Sequence, residues 1–249
     1  MRTSPGRIRE KNEDAVLMHP CGLYAVADGM GGHRAGEIAS RMAVDTLAES
    51  LPCAVPTPLA FREAIELANN RIYADSLAAI DRFGMGTTLT ALWADSATAL
   101  IAQVGDSRAY LYRDNRLHLC TRDHSLVDEL LRKKKITPEQ ARAHPQRSVI
   151  TRALGVEESV RADVFEWDRQ IGDLWLLCSD GLTDMLDDAR IGAHIREHIG
   201  CLLKHANTYS GITIIEEAAD ALIADALEAG GADNITLILL LDDGEEVGA

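Results

Sequence analysis

Several acidic residues of this chain stand beside glycine at the ends of apolar runs, unlike the Glu and Asp scattered over solvated helix faces. Asp28 and Gly29 follow Leu23–Ala27, Gly105 and Asp106 follow Ala99–Val104, Asp180 and Gly181 follow Leu174–Cys178, and Asp233 with Asn234 opens Ile235–Leu241. A further acidic pair, Glu13 and Asp14, closes a segment that begins at Arg9. Carboxylates leaving the ends of neighbouring strands can meet in one cleft, where mutual repulsion makes their joint ionisation costly. A divalent cation relieves that cost. Oxygen ligands without a Cys/His set suit Mg²⁺ or Mn²⁺ rather than zinc, and glycine lets a backbone carbonyl or a water approach closely. Two such ions can activate a water and steady the charge of an in-line phosphoryl displacement. Taken singly, each cluster reads as a turn, because Asp, Asn and Gly all favour turn geometry. Only the set points to chemistry.

The elements that would carry these residues follow from hydrophobic spacing. Runs at Leu23–Ala27, Leu89–Trp93, Ala99–Val104, Ala109–Tyr112, Leu174–Cys178 and Ile235–Leu241 have strand length and are bounded by Gly, Asp or Asn. The stretch from Tyr110 to Leu119 predicts a hairpin turning at Asp114 and Asn115. Phe61, Ile65, Ala68 and Ile72 form the stripe of an amphipathic helix, as do Ile212, Ile215, Ala219, Leu222 and Ala226. Gly36–Ser50 predicts another helix, with Ile38, Met42 and Leu47 inward. Hairpins rather than regular βαβ alternation indicate an α+β fold with antiparallel sheets.

The 249 residues, 47% of them hydrophobic, suffice for one large domain, and nothing divides the chain: no repeat, no low-complexity tract, and one short Pro-rich stretch from Pro52 to Pro58. We therefore expect a single domain over residues 1–249. No apolar run is long enough for a transmembrane helix, and the first residues are charged rather than signal-like, so a cytoplasmic protein without a membrane partner is expected. The formal charge of −14 opposes binding to nucleic acid. The five cysteines never form C-x-x-C and are expected to be reduced. No cysteine is followed six residues on by arginine, which excludes a cysteine-nucleophile phosphatase, and the histidine-rich signatures of the other bimetallic phosphatases are absent.

In order along the chain stand Gly6 to Ala15, Asp28 to Ser40, Gly84 to Thr88, Val104 to Tyr110, Asp123 to Val127, Ile150 to Gly155, Ser179 to Asp184 and Gly231 to Thr236. This series resembles the metal-dependent type 2C protein serine/threonine phosphatases in their bacterial form. The resemblance implies a four-layer sandwich of two antiparallel β-sheets flanked by α-helices, with metals in the cleft at one end. It implies hydrolysis of phosphoserine and phosphothreonine in proteins without a phosphoenzyme, in opposition to a bacterial Ser/Thr kinase. Carried over by position, Asp28 bridges two Mn²⁺ or Mg²⁺ ions, Glu13 and the Gly29 carbonyl complete one site, and Asp180 with Asp233 completes the other. Asp106 would hold a weaker third ion together with Asp180. Asp14 would orient a water, Arg9 would clamp the substrate phosphate, and His33 would protonate the leaving oxygen.

By the same resemblance, Ile136–Gly155 would form a flap beside the active site. The preceding Lys133 to Lys135 read either as a solvated helix end or as an attraction for acidic phosphopeptides. Cys201–Ile214 reads as an insertion that binds a partner or extends a helix, and the first strand is either truncated or begins at the extreme terminus. Phosphorylated proteins are the implied partners, among them a Ser/Thr kinase and forkhead-associated domain proteins, and the chain would act as a monomer. The rival reading is a phosphatase-like binding or sensing module without catalysis. Loss of a ligand carboxylate would be its mark, and each matched ligand position here holds one.

Overall fold

Strands that are apolar on both faces need cover on both, and the runs above obtain it by stacking in two sheets. The computed structural model describes residues 1–31, 35–51, 57–95, 97–205 and 211–244, without the side chains of 199–205, 211 and 212. Its strands are β1 (Arg2–Ser4), β2 (Asp14–His19), β3 (Leu23–Met30), β4 (Gly86–Thr87), β5 (Leu89–Ala94), β6 (Thr98–Val104), β7 (Arg108–Arg113), β8 (Arg116–Leu119), β9 (Asp163–Asp168), β10 (Leu174–Cys178) and β11 (Ile235–Leu241). The helices are α1 (Ala35–Ser50), α2 (Pro58–Ala78), α3 (Leu126–Arg132), α4 (Pro138–Arg142), α5 (Asp180–Thr183), α6 (Asp188–His205) and α7 (Gly211–Glu228). One sheet has the order β1-β11-β10-β7-β8 and the other β2-β3-β5-β6-β9, with β4 on β3. All these pairs are antiparallel.

Between the sheets, Val26, Leu92 and Ile101 of one meet Leu111, Trp175, Leu177 and Ile238 of the other. The stripe Phe61, Ile65, Ala68 and Ile72 of α2 is fully buried with α1 over the outer face of the β3–β5–β6 sheet. On the opposite side, Ile191 and Ile195 of α6 and Leu222 and Ala226 of α7 pack on Leu176 and Leu237. Helix, sheet, sheet, helix is the expected four-layer sandwich. The hairpin between β7 and β8 turns where predicted, with Asp114 at φ 52° and Asn115 at φ 60°, the paired left-handed residues of a type I′ turn.

Several local expectations are corrected. In α1 the inward face is Ala35, Ala39, Ala43, Val44 and Leu47, whereas Ile38 is 37% exposed; close approach of this helix to the sheet admits small side chains. The first strand is present at the extreme terminus, and β2, β4 and β9 were not foreseen. Lys133 ends α3 in an ion pair with Glu129 at 3.1 Å, a solvated helix end. Residues 201–205 continue α6 and 211–214 open α7, while the rest of the supposed insertion and much of the Pro-rich stretch lie outside the described residues. Cys120 and Cys178 are free and buried, but Cys21 is disulfide-bonded, against the expectation of reduced thiols. Among the described residues no helix is long and apolar enough to cross a membrane.

Because Ile101 has no exposed surface and Ile171 is 80% exposed, truncating them should differ sharply. Ile101→Ala is expected to cost about 2–5 kcal/mol of unfolding free energy and Ile171→Ala less than about 0.5 kcal/mol. Urea titration followed by circular dichroism measures both.

Candidate active site

The chain ends of both sheets open onto a cleft of about 490 Å³. Its walls carry Arg9, Glu13, Asp28, Gly29, Asp106, Asp180 and Asp233, brought from distant segments. Asp28 lies near the end of β3 and pairs in register with Asp14 at the start of β2. Asp106 sits in the turn between β6 and β7, Asp180 opens α5 directly after β10, and Asp233 precedes β11. Asp14 lies behind the lining, where its Oδ2 accepts a hydrogen bond from the Ser179 hydroxyl at 3.0 Å. His33 lies outside the described residues.

Close backbone packing sets these positions. A Cβ on Gly29 would stand 2.2 Å from the Gly36 carbonyl oxygen, and one on Gly36 would stand 2.5 Å from Glu13 Oε2. The two glycines thus let the start of α1 press Glu13 toward the Gly29 backbone. Asn234 holds the opposite side: its Oδ1 accepts the Glu13 N–H at 2.8 Å, and its Nδ2 donates to the carbonyls of Lys11 at 2.7 Å and Pro5 at 3.1 Å. A hydroxyl chain joins Asp28 to the Asp106 turn. Thr88 Oγ1 accepts the Asp28 N–H at 3.0 Å and lies 2.7 Å from Ser107 Oγ. Gly105, at φ +102°, packs against Thr88, where an added Cβ would lie 2.6 Å from the threonine side chain.

The electrostatics of the cleft are those of crowded acids. Burial first, then the charges of Asp180 and Asp14, push Asp28 well above the carboxylate range. Asp106 rises well above it through burial and the charges of Asp180 and Asp123. Burial and the charge of Asp184 raise Asp180 to about 7. Asp14 is raised to about 6 by burial, against hydrogen bonds from Thr236 and Ser179. Two buried oxygens, Asp14 Oδ1 and Asp180 Oδ1, have no hydrogen-bond partner. Beside the cluster stands Arg9, whose guanidinium donates to Asp233 Oδ2 at 2.8 Å. Among the described residues no three acidic, histidine or cysteine side chains already surround one ion position. The donor set nonetheless fits a divalent cation: all its side-chain donors are oxygens, two are orphaned, and positive charge is what would lower every one of these shifts.

The profile of the family described as Protein phosphatase 2C matches residues 9–228. The chain belongs to that family. It is 41% identical to the serine/threonine phosphatase stp of Listeria monocytogenes over 97% of this chain and 94% of that protein. It is also 39% identical to the serine/threonine protein phosphatase PstP of Mycobacterium tuberculosis, over 96% of this chain and 43% of that longer protein. Its fold superposes on the crystal structure of the catalytic domain of PstP in complex with two manganese ions with a TM-score of 0.81, at 34% identity over 96% of this chain and 94% of that chain. A bacterial serine phosphatase structure superposes with a TM-score of 0.86 at 33% identity, covering 98% of this chain and 97% of that one.

Reading the sequence of this protein phosphatase 2C chain did not single out Asn234 as a clamp, nor Thr88 and Ser107 as the link between carboxylate turns. All three stand inside the motifs quoted above, so a signal existed in their nearness to Asp233, Gly86 and Asp106. What spacing does not disclose is a hydrogen bond between residues 221 positions apart, such as Asn234 to Glu13.

The raised carboxylates make a pH prediction for this phosphatase 2C domain. A carboxyl whose folded pKa exceeds its unfolded one contributes stability below the unfolded value and loses it as pH rises through the folded value. For Asp14 and Asp180 that window runs from 3.8 to about 6 and about 7. Protein held in EDTA should therefore melt progressively lower as pH rises from about 4 to about 7, and saturating Mn²⁺ should remove most of the trend. Differential scanning fluorimetry across that range, repeated on Asp180→Asn with a flatter profile expected, measures it.

Proposed function

We propose that this chain is a metal-dependent protein phosphatase that hydrolyses phosphoserine and phosphothreonine in proteins as one catalytic domain over residues 1–249. The carrying observation is the convergence of Glu13, Asp28, Asp106, Asp180 and Asp233 on one cleft whose rim holds Arg9, pointing at an acid. Asp28, Asp180 and Asp233 are assigned to one Mn²⁺ or Mg²⁺ ion, and Asp28, Glu13 and the Gly29 carbonyl to a second. Asp106 and Asp180 are assigned to a weaker third ion. When bound, such ions supply Lewis acidity that makes water a better nucleophile at neutral pH and offsets the charge of the phosphoryl group.

The remaining work falls to side chains of this chain. Arg9 can exchange Asp233 for two phosphate oxygens, because a guanidinium forks onto an oxyanion. Holding the phosphate there aligns phosphorus with the attacking water on one side and the seryl or threonyl oxygen on the other. Asp14, with one buried oxygen unpartnered, is assigned to orient that water and draw its proton. As the P–O bond to the protein breaks, the leaving oxygen needs a proton, for which His33 is the candidate donor. Phosphorylated proteins are the substrates. We further propose that a Ser/Thr kinase and forkhead-associated domain proteins are among them, and that the chain works as a cytoplasmic monomer. Comparing phosphoproteomes with wild-type and inactive enzyme tests that choice of substrate.

Metal dependence is tested with p-nitrophenyl phosphate. EDTA should abolish hydrolysis, Mn²⁺ or Mg²⁺ should restore it, and Asp28→Asn should lower kcat by orders of magnitude because it removes the anionic donor common to both ions. Near wild-type turnover in that variant would rule the assignment out, and no turnover by the wild-type chain would favour the inert binding module.

Arg9→Ala is expected to reduce kcat/KM by about tenfold to a hundredfold, the roughly 1.5–3 kcal/mol of a charge-assisted hydrogen bond. Calorimetric Mn²⁺ affinity should fall far less. A parallel loss of both would make Arg9 a structural partner of Asp233 alone.

A further inference from the structure

His124 is buried, 4% exposed, and is absent from the cleft lining, yet it bonds in three directions. Its ring Nδ1 accepts the Gly105 N–H at 3.0 Å, and its own backbone N–H donates to the Gly105 carbonyl at 3.0 Å. A backbone amide can only donate, so Nδ1 carries no proton and the ring hydrogen sits on Nε2. That nitrogen faces Asp163 Oδ2 at 3.2 Å. Arg152 Nη1, 2.9 Å from Nε2, also only donates, and its bonds go to the Arg161 carbonyl at 2.8 Å and Asp163 Oδ1 at 3.3 Å.

The third direction is the returning chain at residues 149–151, inside the flap expected at Ile136–Gly155. The His124 carbonyl accepts the Thr151 N–H at 2.7 Å, and the Leu126 N–H donates to the Val149 carbonyl at 2.9 Å. Ser125 forms an isolated bridge with Ile150. The segment of residues 126–149, which contains α3 and α4, therefore departs and returns at His124. Its returning foot puts Ser148 and Ile150 into the cleft wall beside Asp106. On the other side of the turn, Asp123 grips Arg108 through contacts of 2.9, 3.1 and 2.6 Å. Asp106 sits between the two grips. A buried histidine bonded to backbone commonly serves stability alone. This one bonds the residue preceding a cleft carboxylate with its ring and the returning flap with its carbonyl.

We propose that His124 is a positioning residue that sets the Asp106 turn and the returning foot of the flap as one unit, so that ion occupancy at Asp106 and the hold on the substrate polypeptide vary together. The ion half of this statement rests on Asp106 serving a weaker third ion; the half concerning the Gly105 turn does not.

His124→Asn retains an acceptor for the Gly105 N–H but is too short to reach Asp163, and His124→Phe fills the space with no acceptor. Both are compared with wild type as the full chain. The readouts are Gly105 amide exchange by NMR, stepwise Mn²⁺ binding by electron paramagnetic resonance, and kcat and KM on a phosphopeptide and on p-nitrophenyl phosphate. His124→Phe should speed Gly105 exchange and weaken the loosest Mn²⁺ step while sparing the tight ones. It should also raise KM for the phosphopeptide by about tenfold, the size of one orienting hydrogen bond, with less effect on the small substrate. His124→Asn should recover Gly105 protection and the loosest step. Unchanged Gly105 exchange in His124→Phe, or equal loss of tight ions and of both activities in the two variants, would overturn the proposal. Asp106→Ala separates its two halves: an unchanged loosest step there overturns the third-ion reading, and Gly105 exchange then decides the positioning of the turn.

Discussion

Negative charge confined at the ends of strands is the constraint to which the rest of this structure answers. Asp14, Asp28, Asp106 and Asp180 are each held above the ordinary carboxylate range chiefly by burial, with the charges of neighbouring carboxylates adding to it. A fold tolerates such crowding only where stiff elements over-determine the positions. Here the stiffness comes from two stacked sheets whose shared core, from Val26 and Ile101 to Trp175 and Ile238, is apolar. The acids emerge where that core ends. Metal affinity and intrinsic instability are then two aspects of one arrangement, since a cluster that repels itself binds a divalent cation in proportion to the repulsion relieved.

Much of the fold was legible because burial on both faces leaves a continuous apolar run. Leu174–Cys178 and Ile235–Leu241 were read with the bounds they have, and Leu89–Trp93 to within one residue. Strands without such a run were harder to place, although β2 escaped notice despite the run Ala15–Met18. Arg2–Ser4 contains no apolar residue and exists through its pairing with β11, while Asp163–Asp168 is an edge strand with acids at both ends and mixed burial. In α1 Ile38 misled, whereas Leu47 faces inward as read. Ile38 faces outward because Gly36 must lie against Gly29, and only small side chains fit that approach.

The site was legible to a similar depth and for a related reason. An acid beside glycine after an apolar run has few purely structural tasks, so Asp28, Asp106 and Asp180 could be nominated from their neighbours, and all three line the cleft with Glu13, Arg9 and Asp233. The supports could not be nominated this way. Asn234 reaches from one chain end to the carbonyls of Pro5 and Lys11 near the other, and Thr88 connects two turns that neither adjoins it in sequence nor shares its strand. Such bonds depend on which loops the topology makes neighbours, and local pattern carries no record of that.

The ion pair between Arg9 and Asp233 has a thermodynamic consequence. In the roles proposed for them, a phosphate that drew Arg9 away would leave Asp233 with its charge uncompensated, and a cation arriving at Asp233 would set Arg9 free. The two ligands thus compete with the same internal contact rather than with each other. Each must raise the affinity of the other by one common factor, because linkage between sites is reciprocal. For a catalyst that releases inorganic phosphate, this reciprocity has a cost on the product side. On those roles, the state best loaded with metal would also be the one that lets go of phosphate least readily.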